Sequence, residues 1–478
     1  MEREEAEAIF GQGREAVVAV LVRMDDQIER LTERVARQDE RIAQLERKVK
    51  RSSRNSSQPP SQDHPPSAGP ERGKGPSGRG QGAQPGHQGR GRGLLAASAV
   101  DERVEHWPVE CDCGHVFCEA DRVAAGDPAR HQVEELPVMA VRVTEHRGQR
   151  VRCPDCGERR TAALPAEVAA SAFGPRLQAA VATLSVRNRI SRRDVVELCE
   201  QLFCARISIG SVEAILQRAS DALAEPYEDL LEEIRLAAHL NMDETGWRLR
   251  GRQRALWGAF TERHAVLRIA PDRHEDHAKA LLGPAQAIVT WDRWWAYGHL
   301  PLKRRQVCWS HLQRDFASHA DGLAAEKELG EHGLRICEEL FWSWEIFQHT
   351  GDRTELKRRI RALRRELKPI LRQHAGKAAR YRHSRRFARN LLKIWPALWT
   401  FTDHRGVQPT NNHAERALRG AVITHKLSLG SQSTGGERRT ERLLSAHTTC
   451  RLQRRSLHAY LVDLLAAHAR GDPAPLLS

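Results

Sequence analysis

The sequence predicts a multidomain protein of mixed α/β class: an α/β core with a helical insertion, preceded by a coiled coil, a metal-binding module and a helical region. Three observations carry this. At 478 residues the chain is long enough for about three ordinary domains. An apolar heptad repeat near the N-terminus breaks off into proline- and glycine-rich sequence. Beyond residue 237, short strand-like runs give way to long helical patterns. Lys and Arg number 76 against 62 Asp and Glu, a formal charge of +14, which points to a polyanionic partner, nucleic acid foremost. No run approaches the roughly 18 apolar residues of a spanning helix, and the opening MEREEAEAIF is acidic, without the apolar stretch of a secretory signal. The expected location is the cytoplasm, in association with the nucleoid and with no membrane partner.

The first element is a helix over residues 13–50. Leu21, Ile28, Val35, Ile42 and Val49 recur at one heptad position, and Met24, Leu31, Gln38 and Leu45 at the other. β-Branched residues at the first and Leu at the second favour a parallel two-stranded coil, in which Arg34 would face Asp39 and Arg41 would face Glu46 of the second copy. A homodimer or larger assembly is expected; an amphipathic helix packed on its own core is the alternative. Residues 51–100 read as a linker, with seven prolines and seven Lys or Arg against Asp63 and Glu71 between 51 and 93. Such a segment buries no core. It serves as a plain solvated tether or as a basic arm that touches phosphates.

Residues 101–165 hold five of the ten cysteines, a clustering that reads as metal binding in a chain too poor in cysteine for a disulfide scaffold. In Cys153-Pro-Asp-Cys156-Gly the glycine lets backbone amides turn towards both thiolates. Cys111-Asp-Cys113-Gly is the weaker half, with Cys118 available to replace one of its pair. Either four of the five hold a structural Zn²⁺ or all are reduced thiols. Residues 170–236 are helical. SRRDVVELCEQLF and IGSVEAILQRAS, with Ser191 and Ser208 as N-caps, form a helix-turn-helix or an ordinary helical hairpin, since the turn CARIS lacks a glycine.

Residues 237–455 form the core. AHLNMDETGW, RALWGAFT and HAVLRIA are three strands, followed by a helix from Glu275 to Leu282 and a fourth strand, QAIVTWD. Three antiparallel strands, a crossover helix and a further strand open a ribonuclease H-like layer. Long helical patterns fill an insertion at about 323–400, and residues 456–478 end the chain as a helix and tail. Asp243 ends the first strand and Asp292 follows the fourth, so one sheet edge receives both carboxylates. Glu415, in TNNHAERAL, projects from the first turns of a helix capped by Asn411 or Asn412. Three hard oxygen ligands suit Mg²⁺ or Mn²⁺. Two such ions about 3.5–4 Å apart activate a water or a DNA 3′-hydroxyl and stabilise the leaving oxygen of an in-line displacement. Glu244 faces the opposite side. Trp291, Trp294 and Trp295 pack around Asp292 or stack on bases. Cys308 and His311 form Cys-x-x-His with two zinc ligands visible, which favours a structural role near the site. Arg416 and Arg419 take phosphates or form solvated ion pairs.

NMDETGWRLRG, TWDRWWAYGHL, CWSHLQRDF, PTNNHAERALR, LSLGSQSTGG and LLSAHTTCRLQ, together with SSRNSSQPPSQD, GAQPGHQGR and the cysteine cluster, resemble the transposases of the bacterial insertion sequence 66 family in nearly their whole length and order. The resemblance implies a DDE transposase in which Asp243, Asp292 and Glu415 are the catalytic triad. Such an enzyme cuts double-stranded DNA at the element's terminal repeats and joins the 3′-hydroxyls to target DNA, with element-encoded accessory proteins as further partners. It also implies that His311 supports the catalytic edge or a scissile phosphate. Cys111-Asp-Cys113 departs from the family, which has two intervening residues there. The 122 residues between Asp292 and Glu415 fit the helical insertion. Residues 352–393 alone carry a net +13, which makes Arg358, Arg359, Arg364 and Arg365 the expected DNA cradle. A catalytically idle DNA-binding regulator and a structure-selective nuclease on the same fold are the competing functions.

Overall fold

A computed structural model describes residues 3–49, 52, 55, 93–137, 139–284, 286–292, 298–322, 324–376 and 382–477. Contacts divide the chain into two units, one of Met1–His64, Val143–Gln201 and Ala205–Ser478, the other of Pro65–Arg142 with Leu202–Cys204. Most of the expected basic linker, together with Trp294 and Trp295, lies outside the described residues.

The chain opens with helices α1 (Arg3–Gly11) and α2 (Arg14–Val49). Along α2 the heptad residues Leu21, Met24, Ile28, Leu31, Val35, Ile42 and Leu45 are all exposed, so among the described residues the apolar stripe finds no cover. Among the described residues of the unit of Pro65–Arg142 regular structure is sparse. There Gly114, at φ +89°, closes a tight turn from Cys111. The hairpin of β1 (Arg150–Arg152) and β2 (Arg159–Thr161) carries the turn of Cys153 and Cys156, with Gly157 at φ +69°.

A helical layer follows: α3 (Ala166–Ala169), α4 (Pro175–Val186), α5 (Arg192–Phe203), α6 (Ile209–Ala222) and α7 (Ala224–Leu236). Ser191 and Ser208 accept from the amides of Asp194 and Ser211, as N-caps should. Between α5 and α6 the left-handed position is filled by Cys204 at φ +53°, where glycine was the expected signal.

Five strands make the sheet: β3 (His239–Leu249), β4 (Arg252–Phe260), β5 (Ala265–Ala270), β6 (Ile288–Trp291) and β7 (Arg305–Val307), in the order β5-β4-β3-β6-β7. The first three pair antiparallel; β6 lies parallel to β3, and β7 parallel to β6. Helix α8 (Glu275–Leu282) makes the crossover. Two features differ from expectation. β7 was unanticipated, because its three residues sit in the basic run KRRQV and owe their strand form to the open edge of β6. β3 runs six residues past Asp243 because its far half pairs with β4 in a hairpin, Leu249 opposite Arg252.

Helices α9 (Trp309–Ala320), α10 (Ala324–Thr350), α11 (Arg353–Ala375) and α12 (Arg382–Lys393) follow β7, the last three forming the insertion. The chain then returns to the sheet through α13 (Asn412–Ser428), α14 (Thr434–Leu452) and α15 (Leu457–Arg470). α14 covers the exposed edge of β5. Thr449, Ser445 and Glu441, one turn apart, accept the amides of Ala265, Leu267 and Ile269, so alternate strand donors meet successive helical turns. α14 also packs on α6, which buries Val212, Ile215, Leu216 and Ala219, while Arg439 of α14 pairs with Glu213 at 2.8 Å. The second helix of the anticipated helix-turn-helix thus has its apolar face committed to the sheet-bearing unit. At the far end of β3, Ser431 bonds Arg248 and Arg250 through its backbone and Trp247 through its hydroxyl. This gives LSLGSQSTGG a structural role: Gly430, at φ +102°, lies so close to β3 that a Cβ would meet the carbonyl oxygen of Arg248 at 2.3 Å.

Candidate active site

The geometry begins where β6 stops. Its register with β3 ends at Asn241 opposite Thr290, and two residues further on in each chain stand Asp243 and Asp292. Among the described residues β3 has no further partner on that side until Ser431 bonds beside Leu249, which leaves a notch in the sheet at the two carboxylates. Asp243 is in mid-strand rather than at a strand end, and the early end of β6 is what opens its surroundings. Burial, then the nearby charges of Asp292, Glu244 and Glu415, push the Asp243 carboxyl well above its ordinary value of 3.8. Glu415 lies in the first turn of α13, which packs on β3. Burial also raises its carboxyl, with Asp292 adding to the shift and Arg314 opposing it.

The sheet and α13 are joined by Asn411. It stands at the N-cap of α13, as expected, but its side chain does not cap the helix. Its Nδ2 donates to the Met242 carbonyl at 2.8 Å, and its Oδ1 accepts from Asn241 Nδ2 at 2.9 Å. Its own amide donates to Cys308 Sγ at 3.1 Å, and the Cys308 amide donates to the Trp291 carbonyl at 2.9 Å. One fully buried asparagine therefore ties β3, the end of β6 and α13 together beside Asp243. Burial pushes the Cys308 thiol up to about 11, so it stays protonated.

Helix α9 supplies the other wall. His311 Nδ1 lies 3.6 Å and Arg314 Nη2 3.5 Å from Glu415 Oε1. Cys308, His311 and Glu415 bring one ligand atom each within 4.8 Å of one another. Glu415 is the third ligand that Cys-x-x-His lacked in sequence, although a protonated thiol fits positioning better than coordination. Arg314 and the clamp of Asn411 were not identified from sequence. Arg314 could have been found, since it stands three residues after His311 on the same helical face.

Other expected residues fall as follows. Glu244 is buried on the opposite face, 3.9 Å from Arg273. Trp291 is buried, with Arg305 over its ring at 5.8 Å. Arg416 and Arg419 are exposed on α13. On α11, Arg358 and Arg359 both bond Glu355, at 2.6 and 2.7 Å, holding that carboxyl down at about 2. Arg364 lies over Trp399 at 5.7 Å and Arg365 is exposed. A basic row unnoticed in sequence runs along α12: Arg382, Arg386, Arg389 and Lys393 are exposed, while Ser384, Phe387, Ala388 and Leu391 are buried. Amides of Cys113 and of Cys156 lower the thiols of Cys111 and Cys153, so both short cysteine turns favour thiolate at their first residue. Cys118, in the same unit as Cys111, donates its amide to Asp121 Oδ2.

Asp243, Asp292 and Glu415 are hard oxygen donors of the kind a divalent cation takes, and Asp292 and Glu415 lie near enough for their charges to raise the Asp243 carboxyl. Among the described residues, no helix is long and apolar enough to cross a membrane.

Residues 170–439 match the family described as Transposase IS66 family, and residues 3–93 match a family of unknown function, DUF6444. The chain is thus a transposase. It belongs to the IS66 family, which brings with it DNA as partner and divalent metal use. It is similar to an uncharacterised protein, y4hP, of Sinorhizobium fredii (strain NBRC 101917 / NGR234), 23% identical over 400 residues that cover 75% of this chain and 70% of that protein. No solved structure matches.

Proposed function

We propose that this transposase is a Mg²⁺-dependent DNA strand transferase that acts on element ends, with Asp243, Asp292 and Glu415 as the metal-holding triad of a ribonuclease H-like core. The observation that supports this is that Asp243 and Asp292 each stand two residues past the last matched pair of β3 and β6, with the Asp243 carboxyl raised by burial and by the charges of Asp292, Glu244 and Glu415. The sheet order, three antiparallel strands followed by two parallel ones, supports the core assignment.

When bound, the divalent cations supply Lewis-acid activation of the attacking oxygen and charge stabilisation of the leaving one. The chain's own residues hold the frame. Asn411 fixes α13, and with it Glu415, against β3; His311 and Arg314 keep the Glu415 carboxylate turned towards the notch. The exposed cations of α11, α12 and α13 bind the DNA backbone, so that a water or a 3′-hydroxyl forms its new P–O bond as the scissile P–O bond breaks. The uncovered stripe of α2 supports a dimerising coil, and the amide-stabilised cysteines support a structural Zn²⁺ module.

Strand transfer on element-end DNA with Asp243→Asn, Asp292→Asn and Glu415→Gln tests the triad. Each is expected to abolish joining while leaving DNA binding intact, and undiminished activity in any one removes that residue from the site. Binding of ends without Mg²⁺-dependent nicking by the unaltered chain would identify an idle regulator. Cleavage without joining would identify a nuclease.

A further inference from the structure

A second group of metal-ligating side chains lies in the helical insertion, away from the carboxylate notch. His319 near the C-terminus of α9, Glu326 in the first turn of α10 and His383 in the first turn of α12 bring one ligand atom each within 4.8 Å of one another. His319 and Glu326 are 1% and 0% exposed, whereas His383 is open to solvent.

Three details favour an ion at their centre. His319 Nδ1 is fully buried with no hydrogen-bond partner, yet it lies 3.7 Å from Glu326 Oε1. That is too long for a hydrogen bond. It is close to the spacing of about 3.3 Å between two ligands of one tetrahedral ion bound at about 2.0–2.1 Å. The ligands are also held in place. A Cβ on Gly322 would strike Glu326 Oε2 at 2.7 Å, and one on Gly330 would meet the Ala320 amide at 2.1 Å, so the α9–α10 turn is closed tightly around the carboxylate. Finally, the rings of His319 and His383 lie 4.6 Å apart, with Phe387 against His319 at 4.7 Å, which gives the site an apolar wall on one side and water on the other.

We infer that His319, Glu326 and His383 form a site for a Zn²⁺-class divalent transition metal, with solvent completing the coordination, that staples α9, α10 and α12 together. Two imidazoles and one carboxylate suit zinc and its borderline neighbours and are poorly matched to Mg²⁺, so this site differs in chemistry from the carboxylate notch. Because α9 also carries His311 and Arg314, a staple at its far end fixes the helix that walls Glu415. The inference does not depend on the strand-transfer reading.

The test is zinc content and melting temperature of the full chain, stripped of metal and re-equilibrated at matched free Zn²⁺, for the unaltered protein and for His319→Gln, His383→Gln and His383→Asp. The cysteines and the acidic triad are the same in all four, so their zinc cancels. His319→Gln and His383→Gln are expected to lose about one bound zinc per chain and the share of the zinc-induced rise in melting temperature that goes with it. His383→Asp, which restores a donor, is expected to recover both. Each variant is compared with itself metal-free and zinc-loaded, so loss of the ring contact between His383 and His319 does not enter the zinc-induced shift. Equal zinc content in the unaltered and His383→Gln proteins would overturn the assignment, as would an Asp variant no better than the Gln variant.

Discussion

Salt dependence of DNA binding separates the two basic faces of the insertion. Each cation that neutralises a phosphate contributes about 0.9 to the slope of log K against log salt. On α12, Arg382, Arg386, Arg389 and Lys393 share one exposed row. Arg389 already donates to the Ala375 carbonyl at 2.9 Å, so replacing all four with Gln is expected to flatten the slope by about 2.7, the share of the other three. The α11 set is differently placed. Arg358 and Arg359 are bonded to Glu355, and Arg364 lies over Trp399, leaving Arg365 as the one exposed side chain of the four without a partner described above. Its quadruple Gln variant is expected to flatten the slope by only about 0.9. Fluorescence anisotropy with element-end duplex between roughly 50 and 200 mM salt reads both. Since the buried face of α12 is Ser384, Phe387, Ala388 and Leu391, the α12 variant should melt with the unaltered chain. Equal flattening by the two sets, or more by the α11 set, would refute the claim that internal pairing decides which arginines meet DNA.

Asp243→Asn is expected to stabilise the metal-free protein and to erase the Mg²⁺-induced rise in melting temperature. The sign follows from linkage: the folded carboxyl titrates above its unfolded value of 3.8, so the folded state keeps a proton that the unfolded state releases, and stability falls as pH rises through the raised value. Differential scanning calorimetry of metal-free protein across that range should show the decline in the unaltered chain and a shallower one in Asp243→Asn; parallel curves would remove Asp243 from the account. Asn411→Ala should cost about 2–6 kcal/mol, since it strands the Met242 carbonyl and the Asn241 amide in a buried place at about 1–3 kcal/mol each. Denaturant unfolding checks this, and a loss below about 1 kcal/mol would mean the clamp relaxes into other partners. Ile28→Glu with Leu31→Glu should convert the chain to a monomer by light scattering without changing the melting of the sheet-bearing unit, because both side chains are exposed. An unchanged oligomer would place self-association elsewhere.

What the sequence made legible was whatever repeats with a fixed period. The long helix that carries the heptads of α2, the strand runs of β3, β4 and β5, and the helix Glu275–Leu282 all carry their own local signal, and these elements form, β3 running longer than expected. Elements that depend on a neighbour were hidden. β7 is a strand because β6 offers an open edge, and no local preference in Arg305–Val307 announces it. Asn411 was readable as a cap by its position, but only the nearness of Met242 and Asn241 turns its side chain from helix to sheet.

The most instructive case lies between these two. Glu441, Ser445 and Thr449 recur every four residues on the buried face of α14, a polar row where an apolar one is the rule. That row is visible in sequence, and burying it demands partners. Four helical residues advance about 6 Å and two strand residues about 6.6–6.8 Å, so a polar row of this spacing matches the free amides of an edge strand. A buried helix with polar residues at that period thus signals a sheet edge to be covered. The same reasoning fails for His319, Glu326 and His383, because ligands seven and then 57 residues apart share no element and no period. Sites assembled from three helices become visible only when the fold brings their side chains together, whereas Asp243 and Asp292 were readable as neighbours because each stands two residues past the last matched pair of adjacent strands.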